Sequence, residues 1–200
     1  MSDSMGLNKL SDNDLVVLAK NGSSDAYGAL VRRYTEKMYN ICYRLTGCEH
    51  KAHDLLQDTF ITAFKSIKRF SSNSSLTTWL YKIAVNDWIN KSNREKVVDV
   101  VSIDSDKVVN KSGDTSIREI IDPKQSPEKS YSKAELENAV QYALDKLTPE
   151  QRVAIVLRYI EGRPLQEIAR ICNESVSTIG SRLGRGLKEI KKYLKEYVKQ

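Results

Sequence analysis

Apolar residues recur every three or four positions along most of the chain, which is the spacing of helices that each bury one face. Residues 165–190 show this most clearly, because two short apolar stripes flank a polar break. The stripes and the break are Leu165, Ile168, Ala169 and Cys172, then Asn173-Glu174-Ser175, then Val176, Ile179 and Leu183. Two short helices joined by a tight turn form a helix-turn-helix, whose second helix usually enters the DNA major groove.

The second of these helices carries hydroxyl and guanidinium groups, which can bind base edges and phosphates. These side chains are Ser177, Thr178, Ser181, Arg182 and Arg185. Gly180, Gly184 and Gly186 lie in the same helix, and each costs about 1 kcal/mol relative to Ala. A plain helical hairpin has the same apolar pattern, so this motif alone does not decide the function.

Four helices are predicted between residues 11 and 92 from apolar spacing and capping residues. Ser11 opens the first with a capping box, and Gly47 is a natural left-handed end for the second. The third helix has a buried side that includes Leu55 and Phe64, and the fourth runs over residues 76–92. No strand-like alternation of useful length appears, so this part is predicted to be an all-helical bundle.

Regular spacing fades from about residue 95 to residue 125, where short β-branched doublets lie among polar residues. Helix-start signals return at Ser126-Pro127-Glu128 and at Thr148, and the first of these helices should bury a face that includes Leu136. The sequence therefore predicts an all-α protein of two small helical domains. They are residues 1–94, a flexible acidic linker at 95–125, and a helix-turn-helix domain at 126–200.

The charge distribution favours nucleic acid as a partner. The net charge is +6 with a pI near 9.1, and residues 176–200 hold seven Lys or Arg against two Glu. Residues 99–128, in contrast, hold seven acidic residues against four basic ones. No run reaches the eighteen or so apolar residues of a membrane helix, and the N-terminus lacks the layout of a signal peptide. With only three cysteines, we expect a soluble cytoplasmic protein.

The fourth helix interleaves aromatic residues with cations, which is typical of surfaces that stack unpaired bases. Trp79 and Trp88 are the large rings, and Lys82, Asn86 and Asn90 form a polar strip at four-residue spacing. The alternative is that both tryptophans are core residues and the strip is solvated surface, since Trp is highly buried on average.

The third helix carries Asp54, Gln57 and Asp58 close together, as either a solvated face or a docking face for a basic partner. No phosphate-binding glycine loop, nucleophile motif or third ligand accompanies them, so neither an enzymatic function nor a cofactor is predicted. The sulfur and nitrogen ligands nearby are Cys42, Cys48, His50 and His53. Their spacing matches none of the usual zinc patterns, so no metal site is predicted.

Four blocks of the sequence together resemble an extracytoplasmic-function sigma factor, the small two-domain promoter-specificity subunit of bacterial RNA polymerase. The blocks are YTEKMYNICYRLTG, AHDLLQDTFITAFKSIKRF, LTTWLYKIAVNDWIN and LTPEQRVAIVLRYIEGRPLQEIARICNESVSTIGSRLGRGLKEI. They occur in the family's order and cover nearly the whole chain. The resemblance implies a non-catalytic factor that binds core RNA polymerase and promoter DNA. It also implies an anti-sigma factor that holds the protein inactive.

The resemblance implies roles for three sets of residues. The set that matches the block docking on the polymerase clamp helices is Asp54, Leu55, Gln57, Asp58 and Phe60. The set that matches the block reading and melting the minus-ten element is Phe70, Asn73, Trp79, Lys82, Asn86, Asn90 and Arg94. The set that matches the minus-thirty-five reading helix is Ser177, Thr178, Ser181, Arg182 and Arg185. A base of the non-template strand is expected to be flipped out and held against the loop at residues 70–75.

Two positions depart from the family pattern. His53 stands where a second acid is common, and Gly180 stands where a basic residue is common. These departures concern the affinity for the clamp and one upstream phosphate contact. The alternative function is a free-standing helix-turn-helix transcriptional regulator, which would need a dimerisation or effector domain in place of the N-terminal bundle.

Overall fold

The computed structural model describes residues 4–71, 74–103 and 132–195, which contain helices and no strand. The helices are α1 (Ser4–Leu7), α2 (Asp12–Lys20), α3 (Ser24–Thr46), α4 (Glu49–Ser66), α5 (Leu76–Ile103), α6 (Lys133–Asp145), α7 (Pro149–Ile155), α8 (Leu165–Cys172) and α9 (Val176–Tyr193). A 3₁₀ turn at Ile67–Arg69 follows α4, and a π-helical turn at Val156–Ile160 follows α7. The predicted all-α fold of two helical domains is confirmed.

Local signals set the helix ends in the N-terminal domain. Ser11 caps α2, because its Oγ accepts from the backbone N–H of Asp14 at 3.2 Å. The carboxylate of Asp14 in turn accepts from the backbone N–H of Ser11. Gly47 ends α3 in the left-handed conformation with a φ of 70°, as predicted. The helices α3, α4 and α5 then pack their apolar faces together. Fully buried side chains in this domain include Met38, Ile41, Leu45, Leu55 and Val85.

Helix α5 is longer than the sequence predicts. The polar residues after Ser92 favoured an end near that position, but the helix continues to Ile103. No glycine or proline occurs between Leu76 and Ile103, and β-branched residues lower helix propensity only slightly, so nothing in this stretch stops the helix. The start of the predicted linker is therefore helical, and the rest of it lies outside the described residues.

The C-terminal domain begins, in the part of the chain that the structure describes, with α6. The helix start predicted at Ser126 lies outside the described residues, and α6 opens at a capping box formed by Ser132 and Glu135. Leu136 is 48% exposed, so its predicted burial is wrong. The physical reason is its position in the first turn of α6, where the neighbouring residues 134–138 are all exposed.

Helices α8 and α9 form the predicted helix-turn-helix. Asn173 ends α8 with a φ of 54°, a conformation that Asn tolerates better than most residues. Ser175 then caps α9, because its Oγ accepts from the backbone N–H of Thr178 at 3.1 Å. Ile168 and Ile179 are buried between the two helices and the rest of the domain. The polar break seen in the sequence is therefore the turn of the motif.

The two domains pack directly against each other. Helix α5 contacts α7 and α8, and α3 contacts α6 and α7, so the buried apolar side chains form one continuous core. A hydrogen bond of 2.7 Å between Arg152 Nη1 and the carbonyl oxygen of Leu45 joins residues that are 107 positions apart. No local pattern in the sequence indicated this contact, because local patterns report neighbours along the chain.

Candidate DNA and protein interfaces

The first turns of α9 present the predicted upstream-reading side chains at the surface. They are Ser177, Ser181 and Arg185, which are exposed, and Thr178 and Arg182, which are half-buried. The opposite side of the helix carries Ile179 and Leu183, which are buried in the C-terminal domain. The structure therefore brings all five residues together on one accessible stretch of about two and a half helical turns.

Arg182 is already paired within the protein. Its Nη2 donates to Oε1 of Glu174 at 2.7 Å, across the turn of the helix-turn-helix. Both side chains are partly buried, so the pair holds the guanidinium over the turn and places a carboxylate beside the other residues predicted to read DNA. The sequence did not indicate Glu174 as part of this site, because an acid in the turn comes close to Arg182 only when the two helices pack together.

The glycines of α9 lie in two different environments. A methyl group added at Gly180 or Gly184 would meet no described atom within 4 Å beyond the helix itself. At Gly186 the same methyl carbon would lie 3.0 Å from Cγ1 of Ile155, which is closer than ordinary van der Waals contact. Gly186 is therefore explained by the close packing of α9 on α7. Gly180 and Gly184 leave a smooth, exposed surface on α9.

The predicted polar strip of α5, Lys82, Asn86 and Asn90, is exposed, and Arg94 extends it into a continuous row. These four residues are all exposed and lie four positions apart. Trp88 is buried, as the alternative interpretation of the tryptophans expects, whereas Trp79 is only half-buried and borders the row. The geometry suits a single polynucleotide strand lying along the helix, with cations and amides available on one side.

Trp79 is held in place by the segment that follows α4. Its ring centroid lies 5.1 Å from that of Phe70, and Nζ of Lys20 donates to the carbonyl oxygen of Phe70 at 2.6 Å. Phe70 is 6% exposed, so in this structure it supports Trp79 and its own ring is not a free surface. Asn73, also matched to minus-ten DNA, lies outside the described residues.

The five residues matched to polymerase docking do not share one face of α4. Leu55 is 2% exposed and belongs to the core. Asp58 accepts from Nζ of Lys91 at 2.5 Å, and Oδ2 of Asp87 lies 3.0 Å from the same nitrogen. Burial lowers the pKa of Lys91, but its hydrogen bonds to the two carboxylates outweigh this effect and raise the pKa. Asp54 and Asp58 both line a polar cleft of about 790 Å³ between the two domains.

Gln57 and Phe60 line an apolar groove of about 560 Å³ between α3 and α4. Tyr27 lies in its wall and donates its hydroxyl to the carbonyl oxygen of Phe60 at 2.6 Å, while burial raises the pKa of Tyr27 to about 12. Ile61 and Phe64 are largely exposed along the groove. The predicted burial of Phe64 is therefore wrong, because the apolar side of α4 is wider than the surface that its neighbours cover. Sequence reasoning did not single out this groove.

The cysteines and histidines near the start of α4 do not converge. Cys42 is buried in α3, whereas Cys48 is exposed, and within residues 4–71, 74–103 and 132–195 no three metal-ligating side chains come together. His53 instead lies at the apolar groove. Burial raises the pKa of Cys42 to about 12 and that of Cys172 to about 11, so both thiols are protonated at neutral pH. None of the described helices is long and apolar enough to cross a membrane.

Comparison with known proteins assigns both domains. Residues 30–97 match the family model of sigma-70 region 2, and residues 137–190 match that of sigma-70 region 4. The exposed row of α5 lies within the first match, and the start of α9 lies within the second. The fold and the two surfaces therefore define a sigma factor built from these two regions.

Individual relatives show which group of sigma factors this chain resembles. Over 180 residues the chain is 35% identical to the ECF RNA polymerase sigma factor SigW of Bacillus subtilis, which covers 88% of this chain and 93% of that protein. It is 31% identical over 186 residues to the ECF RNA polymerase sigma-E factor of Escherichia coli, and the match covers 91% of this chain and 93% of that protein. The solved structure of RpoE from Bartonella quintana, in complex with the anti-sigma factor NepR, has the same fold, with a TM-score of 0.62 and 24% identity over 87% of this chain and 98% of that one. This chain belongs to the extracytoplasmic-function sigma factors.

Proposed function

We propose that the protein binds core RNA polymerase and directs it to particular promoters, with no catalytic activity of its own. The observation that carries this proposal is the presence of two separate exposed polar surfaces suited to nucleic acid on one chain, at the start of α9 and along α5. A free-standing helix-turn-helix regulator needs only the first of them. Because bacterial transcription takes place in the cytoplasm, this function implies a cytoplasmic location.

The start of α9 is proposed to read the minus-thirty-five element as duplex DNA. The hydroxyls of Ser177 and Ser181 are exposed and suit base edges or phosphates, and the exposed guanidinium of Arg185 suits guanine or a phosphate. Arg182 would exchange its partner Glu174 for DNA. The smooth surface at Gly180 supports a close approach of the DNA backbone, at the cost of one cationic contact.

The exposed row of α5 is proposed to capture the non-template strand at the minus-ten element. Lys82 and Arg94 would hold phosphates, and Asn86 and Asn90 would bind base edges. Trp79 offers a half-exposed ring beside the row, on which the base next to the flipped base can stack. Stacking on an aromatic side chain contributes about 1–3 kcal/mol per base, which offsets the few kcal/mol needed to unstack it.

Docking on the polymerase clamp is proposed at α4. Gln57 and Phe60 supply exposed and partly exposed surface at the apolar groove, and desolvated apolar anchors of this kind carry most of the energy of protein interfaces. Asp54 adds an exposed carboxylate. Leu55 and Asp58 would act indirectly, Leu55 by supporting the helix from the core and Asp58 through its bond to Lys91.

An anti-sigma factor is the further proposed partner. The relative RpoE was solved in complex with the anti-sigma factor NepR, and its fold is shared by this chain. Both the α4 groove and the α5 row are accessible in this structure, so a partner protein can bind either surface. A partner bound at one of them would block the interaction proposed for that surface.

The decisive experiment adds the purified chain to core RNA polymerase and maps the 5′ ends of transcripts made from genomic DNA. We expect a stable complex and discrete start sites that share upstream elements. The double variant Lys82→Ala/Asn86→Ala should lose these start sites, while Lys37→Ala, which removes an exposed cation from α3, should retain them. Sequence-specific duplex binding without any complex with core polymerase would instead indicate the free-standing regulator and contradict the proposal.

A further inference from the structure

Lys20, the last residue of α2, binds the segment that joins α4 to α5, although the two are 50 positions apart. Its Nζ donates to the carbonyl oxygen of Phe70 at 2.6 Å, and the same nitrogen lies 5.8 Å from the centre of the Phe70 ring. Both distances are those of favourable contacts, a charge-assisted hydrogen bond and a cation–π interaction. One ammonium group therefore holds both the backbone and the ring of Phe70.

Helix α2 is itself fixed to α3, so Lys20 extends from a firm support. Nη1 of Arg33 donates to Oδ1 of Asp12 at 2.5 Å, in the first turn of α2. Nη2 of Arg33 donates to the carbonyl oxygen of Leu10 at 2.9 Å, just before α2 begins. The position of Phe70 is therefore set by a helix that lies outside the segment between α4 and α5.

Phe70 in turn supports the ring of Trp79. The two ring centroids are 5.1 Å apart, and the ring planes make an angle of 53°. Trp79 also borders a space of only about 10 Å³, which Ile67 and Leu80 help to line. A space of that size is at the lower limit for one water molecule, so the Trp79 ring has little room to move while Phe70 stays in place. The orientation of the half-exposed Trp79 ring therefore depends on Lys20 through Phe70.

We propose that Lys20 is a positioning residue for minus-ten capture, which acts on Trp79 through Phe70 and makes no contact of its own with DNA. Without the ammonium group, the carbonyl and the ring of Phe70 lose a shared partner, and Trp79 becomes free to tilt. Asn86 and Asn90 can bind a base edge only while stacking on a fixed ring holds the strand in register. The inference rests on the proposed role of Trp79 and α5 in capturing the non-template strand.

The first test follows the Trp79 ring in the free, full-length chain by acrylamide quenching of fluorescence. The chain has two tryptophans, so Trp88→Phe leaves Trp79 as the sole reporter, and Trp79→Phe leaves Trp88. Lys20→Met keeps the apolar stem without the charge, and we expect it to raise the quenching constant of Trp79 at least about 1.5-fold. The quenching constant of Trp88 should stay unchanged. Lys20→Arg keeps a charged donor and should leave both constants near wild type, as should Lys37→Met, which removes an exposed cation from α3.

The second test uses the complex of each variant with core polymerase, on a promoter identified by transcript mapping. Promoter opening, measured by permanganate reactivity, should fall about threefold to tenfold in Lys20→Met, since stacking is weakened and not abolished. Lys37→Met loses the same charge and should change opening less than about twofold. The slope of log affinity against log salt should be the same for Lys20→Met and wild type, whereas loss of a phosphate contact would reduce it by about one. Lys20→Arg should restore opening.

An unchanged quenching constant of Trp79 in Lys20→Met overturns the inference. An equal rise for Trp88 also overturns it, because the whole domain would then have loosened. Normal opening by Lys20→Met, or a salt slope reduced by about one, would show respectively that the ring position is irrelevant or that Lys20 binds a phosphate directly. The proposed function fails separately, when no complex with core polymerase and no discrete start sites are found, since the quenching result concerns the free chain.

Discussion

Arg152 is the residue whose loss should separate the two domains most directly. Its guanidinium is nearly buried, and Nη1 donates to the carbonyl oxygen of Leu45 at 2.7 Å in the last turn of α3. The same nitrogen lies 3.2 Å from Oδ1 of Asp145, and the guanidinium carbon lies 5.5 Å from the centre of the Trp88 ring. A cation at the carbonyl end of a helix is also favoured by the helix dipole. One side chain thus joins α3, α5, α6 and α7.

The cost of Arg152→Ala follows from these contacts. A hydrogen bond from a charged group contributes about 1.5–3 kcal/mol, and a desolvated cation–π contact about 1–2 kcal/mol. Burial lowers the pKa of Arg152, which shows that desolvation of the guanidinium offsets part of this gain. Asp145 is not stranded by the substitution, because Nε2 of Gln141 donates to it at 3.1 Å. We therefore expect a net loss of about 2–3 kcal/mol in the free energy of unfolding.

The assay is urea unfolding followed by tryptophan fluorescence, since Trp88 stacks on the guanidinium. Arg152→Met keeps the apolar stem and removes the charge, so its loss should be about half that of Arg152→Ala. Arg170→Ala removes an exposed arginine from α8 and is the control. If Arg152→Ala loses less than about 0.5 kcal/mol more than Arg170→Ala, the side chain does not hold the domains together as argued.

Three further predictions concern the proposed DNA surfaces. Gly180→Ala should stabilise the protein by about 1 kcal/mol, whereas Gly186→Ala should give no gain or a loss of about 1 kcal/mol, because its methyl group would lie too close to Ile155. Equal shifts of the two variants in thermal unfolding would contradict the packing argument. Trp79→Ala should reduce promoter opening roughly fivefold to a hundredfold while leaving initial duplex binding nearly unchanged. Promoter opening is measured by the permanganate reactivity of melted thymines. Equal losses in both assays would count against base stacking. Glu174→Gln should release Arg182 and steepen the salt dependence of upstream duplex binding by about one phosphate contact, an effect that the same change at Glu189, paired with Lys192, should not produce.

Helix ends and helix faces were predictable because their causes lie close together in the sequence. The capping box at Ser11 and the one at Thr148 each involve residues three positions apart, and Gly47 supplies the left-handed conformation by itself. The helix-turn-helix is of the same kind, since Ser175 caps α9 from within the turn. The exposure of Lys82, Asn86 and Asn90 along one side of α5 also followed from their four-residue spacing.

Other features depend on contacts between distant parts of the chain and left no local signal. Leu55 was expected both to be buried and to dock on polymerase, and only the packing of α4 shows that its side chain lies in the core. Phe64 was expected to be buried, because an apolar spacing does not say how wide a face the neighbouring helices cover. The hydrogen bond between Thr78 of α5 and Glu167 of α8 joins residues that are 89 positions apart. The sequence could therefore predict two domains without predicting their contact.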